Sequence, residues 1–298
     1  MPEVARKAPK NTGPAMSTYF VYDVFTETAF GGNPLAVFPD ATSIAEDKLQ
    51  SIAREFNLSE VTFVYPPHNP DHTAKVRIFT PTMEIPFAGH PTIGTATALR
   101  DEGHNGAMIL ELGVGSVPCV FEDGKAAFTI AAPLERLAQP DTQLIAAALG
   151  VPDDAIVTTT HAPVQASVGL PFVLVELRHK DDLTACVPSL EHIREGATKY
   201  PAGFDFAIFA YVRDGMQIDA RMFAPIDNIP EDPATGSASA ALAALLTETL
   251  GQNLTLHIVQ GEAMGRPSDI TATTKHANPV PVTISGHAVR VMEGVLLA

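Results

Sequence analysis

A chain of 298 residues with 46% hydrophobic content is long enough to bury one large core or two medium ones. Its formal charge of −15, with no Lys/Arg cluster, excludes nucleic acid as the expected partner, because phosphate binding rests on many basic contacts. No apolar run approaches the ~18 to 20 residues that span a bilayer, and two cysteines, Cys119 and Cys186, offer no disulfide framework and no CxxC metal knuckle. A soluble, cytoplasmic protein is expected.

Residues 1–18 carry Arg6, Lys7 and Lys10 among Pro, Gly and Ala, lack a signal peptide's apolar stretch, and read as a disordered tail with Met16 an alternative start. Strand patterns follow at Tyr19–Val24, Pro34–Phe38, Val61–Tyr65, Ala74–Phe79 and Met108–Leu112. Between them, Ile44, Leu49, Ile52, Ala53 and Phe56 form a helical stripe stopped by Asn57. A second helix opens after His90 with Pro91 at its first position and closes at Gly103. Pro133–Pro140 reads as a linker. The second half repeats the order with Phe172–Leu177, Leu190–Gly196, Phe206–Val212, Gln217–Phe223 and a helix over Ser237–Leu250 before Gly251. Ala288–Val291 and Val295–Leu297 form a last strand pair, expected to return to the first half. The helices after His90 and Gly236 carry small residues on nearly every face, as in Ala238, Ser239, Ala240 and Ala241. Such helices are enclosed, so a strongly curved sheet is expected around each.

One passage occurs twice. Arg77-Ile78-Phe79-Thr80-Pro81 followed by Glu84-Ile85-Pro86-Phe87-Ala88-Gly89-His90 is answered by Arg221-Met222-Phe223-Ala224-Pro225 followed by Ile229-Pro230-Glu231-Asp232-Pro233-Ala234-Thr235-Gly236-Ser237. Arg, Phe, Pro, Ile and Pro match without a gap over the first ten positions of each copy. Each copy reads as a strand, a turn, and a Gly opening a helix whose N-terminus can receive an anion. Two such termini facing each other make one cleft for a small carboxylate.

These passages resemble the PhzF family of phenazine-biosynthesis-like isomerases, as do Gly32-Asn33-Pro34-Leu35-Ala36-Val37-Phe38 and Asn57-Leu58-Ser59-Glu60-Val61-Thr62-Phe63. The resemblance runs from about Tyr19 to the end. It implies the α+β, diaminopimelate epimerase-like fold: two pseudo-symmetric domains, each a curved, mostly antiparallel sheet around a central helix. The expected divisions are 19–133, completed by 287–298, and 134–286. A homodimer is expected on the resemblance alone.

The resemblance makes Glu60 the proton carrier, with His90 and Asp232 as partners in binding and orienting the substrate. Taken alone, Glu60 is a solvated acid, and Asp232 and His90 are ordinary residues near helix starts. A glutamate working near neutral pH needs its pKa raised by burial, which apolar Val61 and Phe63 make possible. A histidine at a helix start tends to be neutral. Gly89 and Gly236 let a ligand approach the backbone N–H groups of His90 and Ser237. Ser237 adds a hydroxyl there or simply caps the helix. Asn33 and Ser59 complete the expected substrate contacts.

Cysteines are missing from both helix starts, which excludes the two-thiol racemisation of related epimerases and proline racemases. His68 and His72 have helical spacing, but Pro66, Pro67 and Pro70 place them in a surface loop. Gly113-Val114-Gly115 is too short for a dinucleotide loop, and Ser237 lacks a hydrolase elbow. No metal and no cofactor are expected. The expected function is a cofactor-independent isomerase moving a proton between carbons of a small carboxylic acid. An epimerase or dehydratase on a hydroxy or amino acid, or a non-catalytic metabolite-binding protein, are the alternatives.

Overall fold

The computed structural model describes residues 16–203 and 205–297. The first half comprises β1 (Met16–Val24), β2 (Asn33–Phe38), α1 (Leu49–Phe56), β3 (Glu60–Tyr65), β4 (Ala74–Phe79), β5 (Glu84–Ile85), α2 (Gly89–Asp101), β6 (Met108–Leu112), β7 (Gly115–Glu122) and β8 (Lys125–Ile130). The second comprises β9 (Glu135–Ala138), α3 (Thr142–Leu149), β10 (Val164–Ser167), β11 (Pro171–Glu176), α4 (Lys180–Ala185), α5 (Leu190–Lys199), β12 (Ile208–Asp214), β13 (Gln217–Ala224), β14 (Ile229–Asp232), α6 (Gly236–Leu250), β15 (Thr255–Gln260), β16 (Ser268–Thr274) and β17 (Val282–Gly286). A long strand, β18 (Ala288–Leu297), then returns to pair with β1.

Hydrogen bonding runs β18-β1-β2-β3-β4-β6-β7-β8 in the first half and β9-β10-β11-β12-β13-β15-β16-β17 in the second, and β8 pairs with β17 to join them. The two orders correspond strand for strand. Both contain parallel pairs at the same places, β2 with β3 and β4 with β6, matched by β11 with β12 and β13 with β15. A parallel pair needs a crossover connection. Here α1 or the α4–α5 pair supplies the first crossover and α2 or α6 the second. The two-domain, curved-sheet fold expected from the sequence is therefore the one observed.

The second crossover helices lie inside. Gly89 to Leu99 of α2 and Gly236 to Thr247 of α6 are buried without a break. Their small hydroxyl residues satisfy themselves within the helix or against the sheet: Thr92 donates to Ala88 O, Ser239 to Thr235 O, and Thr95 to Thr62. One core encloses both helices, while Leu49, Ile52 and Ala53 of α1 pack outside with Phe38 and Phe63. Burying a Leu or Ile side chain contributes roughly 1.5 to 3 kcal/mol, so this stripe alone fixes α1 on the sheet.

Several expectations need correcting. Residues 1–15 of the expected tail lie outside the described residues, but Met16, Ser17 and Thr18 open β1, with Met16 opposite Leu297. The helix expected from Ile44 begins as a single 3-10 turn at Glu46 and becomes regular only at Leu49, though Asn57 stops it in the left-handed conformation as expected (φ 51°). Pro91 is the third helical residue, not the first, because α2 starts at Gly89. Pro133–Pro140 contains β9 and is not a bare linker. The last strand pair is one strand with a bulge.

The register of the duplication also differs from the sequence match. Ile78 pairs with Ile85, seven residues on, whereas Met222 pairs with Asp232, ten residues on. The second turn is three residues longer, so the counterpart of Glu84-Ile85-Pro86 is Glu231-Asp232-Pro233, and Ile229-Pro230 belongs to the insertion. The arginines confirm this: Arg77 forms a forked pair with Glu84, as Arg221 does with Glu231.

Candidate active site

The starts of α2 and α6 meet at the junction of the halves. A Cβ added to Gly89 would stand 2.9 Å from Gly236 Cα and 3.0 Å from Ser237 N, so only glycine permits this approach. Neither helix has a side-chain cap: Ala88 and Thr235 occupy the cap positions without bonding the first-turn N–H groups. Those donors remain for an anion. Ser237 is the second residue of α6, which removes the simple capping role.

A partly open cleft lies beside these helix starts. Ser59, Glu60, Gly89, His90, Asp232, Gly236 and Ser237 all line it. Met83, Ile85, Leu170, Phe172 and Met222 give it apolar walls, and Asp205, Asp227, Thr80 and Thr82 add polar ones.

Asn33 is fully buried, is not among the residues that line the cleft, and braces it. Its amide nitrogen donates to Asp232 Oδ1 (2.8 Å) and Ala234 O (3.0 Å) and stands 3.4 Å from His90 Nδ1. Its Oδ1 accepts from Ser59 Oγ at 2.9 Å. One side chain from β2 thus ties the start of β3 to the start of α6.

Glu60 heads β3 and its side chain is 13% exposed; Oε2 is enclosed and has no hydrogen-bond partner among the described residues. His90 Nε2, likewise unpartnered, stands 3.5 Å away, too far for a good hydrogen bond. Burial pushes the Glu60 carboxyl up to about 8, helped by the charge of Asp232 and opposed by the Ser59 hydroxyl. Burial pushes Asp232 up to about 6, opposed by its bonds from Thr235 (2.6 Å) and Asn33. Of these two buried carboxyls in one cleft, Asp232 ionises first because those donors favour its charge, and its charge then raises the proton affinity of Glu60. His90 is pushed down to about 3 by burial, so it is neutral; the helix start adds to what enclosure already ensures. With Nδ1 facing the Asn33 amide, the ring hydrogen is assigned to Nε2, facing Glu60.

Pairing registers show how unlike the halves are at this point. Leu35 pairs with Glu60 in the first half, and the same step in the second half, one before the Val173–Ile208 pair, brings Ala207 to the matching position. The cleft therefore carries a carboxyl on one wall and a methyl on the other. Asp232 in turn occupies the counterpart of Ile85.

Sequence reasoning missed the outer supports. Gln260, 1% exposed, donates to Asp232 O (2.7 Å) and Thr235 Oγ1 (3.0 Å) and accepts from Thr235 N (3.0 Å). Arg266 reaches across the halves to Gly31 O, Gly32 O and Asp23 Oδ1, clamping the loop before Asn33. Neither sits in a motif. Cys119 and Cys186 are buried away from the cleft, and burial pushes Cys119 up to about 12 and Cys186 up to about 11. His68 and His72 lie in a loop against Glu111, as their prolines imply. Among the described residues no helix is long and apolar enough to cross a membrane.

The cleft thus sets an enclosed carboxyl beside helix-start N–H groups that can meet an anion. The chain is 37% identical to an uncharacterized isomerase, mll1393, of Mesorhizobium japonicum, covering 93% of this chain and 98% of that one. It is 35% identical to the trans-2,3-dihydro-3-hydroxyanthranilate isomerase of Pseudomonas aeruginosa, covering 94% and 99%. The crystal structure of a Bacillus anthracis phenazine biosynthesis protein of the PhzF family shares its fold, with TM-score 0.84 and 24% identity over 95% of this chain and all of that one. Residues 22–294 match the phenazine biosynthesis-like protein family, PhzC-PhzF, and the chain belongs to that family.

Proposed function

We propose that this protein is a cofactor-independent isomerase in which Glu60 takes a proton from one carbon of a small unsaturated carboxylate and delivers it to another. The observation that carries the reading is the Glu60 carboxyl itself: buried in the cleft, held up to about 8, with one oxygen unpartnered. A group exchanging its proton near working pH is the better acid and the better base. The helix-start N–H groups of α2 and α6 hold the substrate carboxylate and take up charge as the carbon-bound proton leaves. Ser237 binds the same anion, and neutral His90 orients the reacting portion through Nε2–H. Asp232 stays ionised, and its charge makes the Glu60 carboxylate a stronger base for the carbon-bound proton, which Glu60 then gives up to the receiving carbon.

Stereoinversion with two opposed bases finds no support in Ala207, the counterpart of Glu60. The activity named for the Pseudomonas aeruginosa relative, isomerisation of a hydroxylated dihydro-anthranilate, fits a cleft with apolar walls and an anion-binding floor. The test is turnover of trans-2,3-dihydro-3-hydroxyanthranilate in deuterated water, read by mass spectrometry. Deuterium should enter the product at the receiving carbon. A product that forms at full rate with no solvent label, and keeps all of a carbon-bound label independently of Glu60, would favour a direct hydrogen shift and defeat the proposal.

A further inference from the structure

Four enclosed side-chain polar atoms lack a hydrogen-bond partner among the described residues: Glu60 Oε2, His90 Nε2, Asp205 Oδ1 and Arg213 Nε. The first three belong to residues that line the one cleft. Two of them form the proposed catalytic pair, and the third has no assigned work. Leaving a buried acceptor unpaired is unfavourable, so each such atom calls for a partner or a role.

Asp205 is 6% exposed and rigidly held. Its Oδ2 accepts the backbone N–H groups of Ile226 and Asp227, both at 3.2 Å, which fixes the plane of the carboxyl, while Oδ1 has no hydrogen-bond partner among the described residues. The fold does not demand an acid here. Two residues before Ala207, Asp205 is the counterpart of Leu58, two residues before Glu60, and the first half is built as well around a leucine. Asp227 lines the cleft beside it, so this wall is acidic while the helix starts on the floor favour negative charge. A ligand that suits both has a carboxylate at one end and a hydrogen-bond donor at the other.

We propose that Asp205 is a specificity-determining residue: its Oδ1 receives an amino or hydroxyl substituent of the carboxylate that the helix starts bind. The inference rests on the small-carboxylate reading above. The ring or chain between the two polar ends lies against Met83, Ile85, Leu170, Phe172 and Met222. A site built to pair a donor rejects the analogue lacking it, because the buried oxygen then stays unpaired. Burial and the neighbouring Asp227 push Asp205 up to about 6, which still leaves it an anion, and so a strong acceptor, at neutral pH.

Isothermal titration at neutral pH with benzoate and 2-amino-3-hydroxybenzoate tests this on the full chain. The wild type should bind the substituted acid at least about tenfold more tightly. Asp205→Asn keeps an oxygen for the two backbone donors and turns an NH₂ where Oδ1 stood, so the preference should fall to near unity while benzoate binding is unchanged. A crystal structure of the wild type with 2-amino-3-hydroxybenzoate, showing a donor within hydrogen-bond distance of Oδ1, supports the assignment even should Asp205→Asn fail to fold; a donor placed elsewhere overturns it. An unchanged preference in folded Asp205→Asn overturns this inference alone, provided Glu60→Gln still abolishes turnover. Failure of the wild type to bind either acid overturns the small-carboxylate reading and this inference with it.

Discussion

Gly89→Ala and Gly236→Ala look equivalent in the sequence and should differ in effect. The Cβ at position 89 meets backbone only, Gly236 Cα and C and Ser237 N at 2.9, 3.0 and 3.0 Å. None of these can yield without moving the start of α6. At position 236 the new methyl meets the Phe25 ring at 3.2 Å and Gly89 Cα at 3.3 Å, contacts that a shift of a few tenths of an ångström relieves. Overpacking against fixed atoms costs about 1 to 3 kcal/mol. Neither glycine has the left-handed backbone that would penalise alanine by itself. Alanine's better helix propensity, up to ~1 kcal/mol, therefore offsets much of the cost at 236 and little of it at 89. For a chain of this size ~1 kcal/mol moves Tm by roughly 2 to 4 °C, so Gly89→Ala should melt several degrees lower and Gly236→Ala within about 2 °C of wild type. Thermal melts followed by circular dichroism, with carboxylate binding measured alongside, read both. Gly89→Ala should also weaken carboxylate binding, because it separates the two sets of N–H donors. A Gly89→Ala protein with wild-type Tm and affinity, or a Gly236→Ala protein that is the worse of the two, would refute the described packing.

Stability should depend on pH through Glu60. Its carboxyl ionises at about 4.5 when unfolded and about 8 when folded, so its contribution is full below about 4.5 and is lost as pH rises through 8. Glu60→Gln, which cannot ionise, should gain on wild type by on the order of a few kcal/mol between pH 5 and 8 in urea unfolding; a constant difference at the two pH values would contradict the burial argument. Ser237→Ala should weaken substrate binding by about 1.5 to 3 kcal/mol with kcat nearly unchanged, and a trapped covalent adduct on Ser237 would show the role to be wrong. Exhaustive chelation should leave activity intact, since no grouping of His, Cys, Asp or Glu among the described residues has metal-site geometry; activity lost to chelation and restored by a divalent ion would refute this.

Much of the fold was legible because its signals are local. The stripe of Leu49, Ile52 and Ala53 ended by Asn57 locates α1, and the all-round small residues of α2 and α6 place those helices inside a curved sheet. The strands from β7 to β10 and from β15 to β17 were not legible; β7, for example, contains Pro118 and shows weak alternation. The duplication was visible but misregistered, because Ile229-Pro230 imitates Ile85-Pro86 while pairing between strands obeys the longer turn. At the site, motif residues and neighbours in sequence could be named in advance. Asn33 could be named but not given its bracing role, since the partners that occupy its amide lie about 200 positions away. Arg266 bonds to groups 234 to 243 positions away, and Gln260 and Asp205 to groups 21 to 28 positions away, and sequence spacing carries no trace of either.

The most direct test of the central claim is turnover by Glu60→Gln with trans-2,3-dihydro-3-hydroxyanthranilate, with binding of a non-reacting carboxylate measured on the same preparation. Glutamine keeps the shape of the side chain but cannot carry a proton. Binding should persist while kcat falls by at least about 10² to 10⁴, the usual contribution of a general acid-base group. Turnover at the wild-type rate in a variant that binds normally would show that Glu60 does not carry the proton.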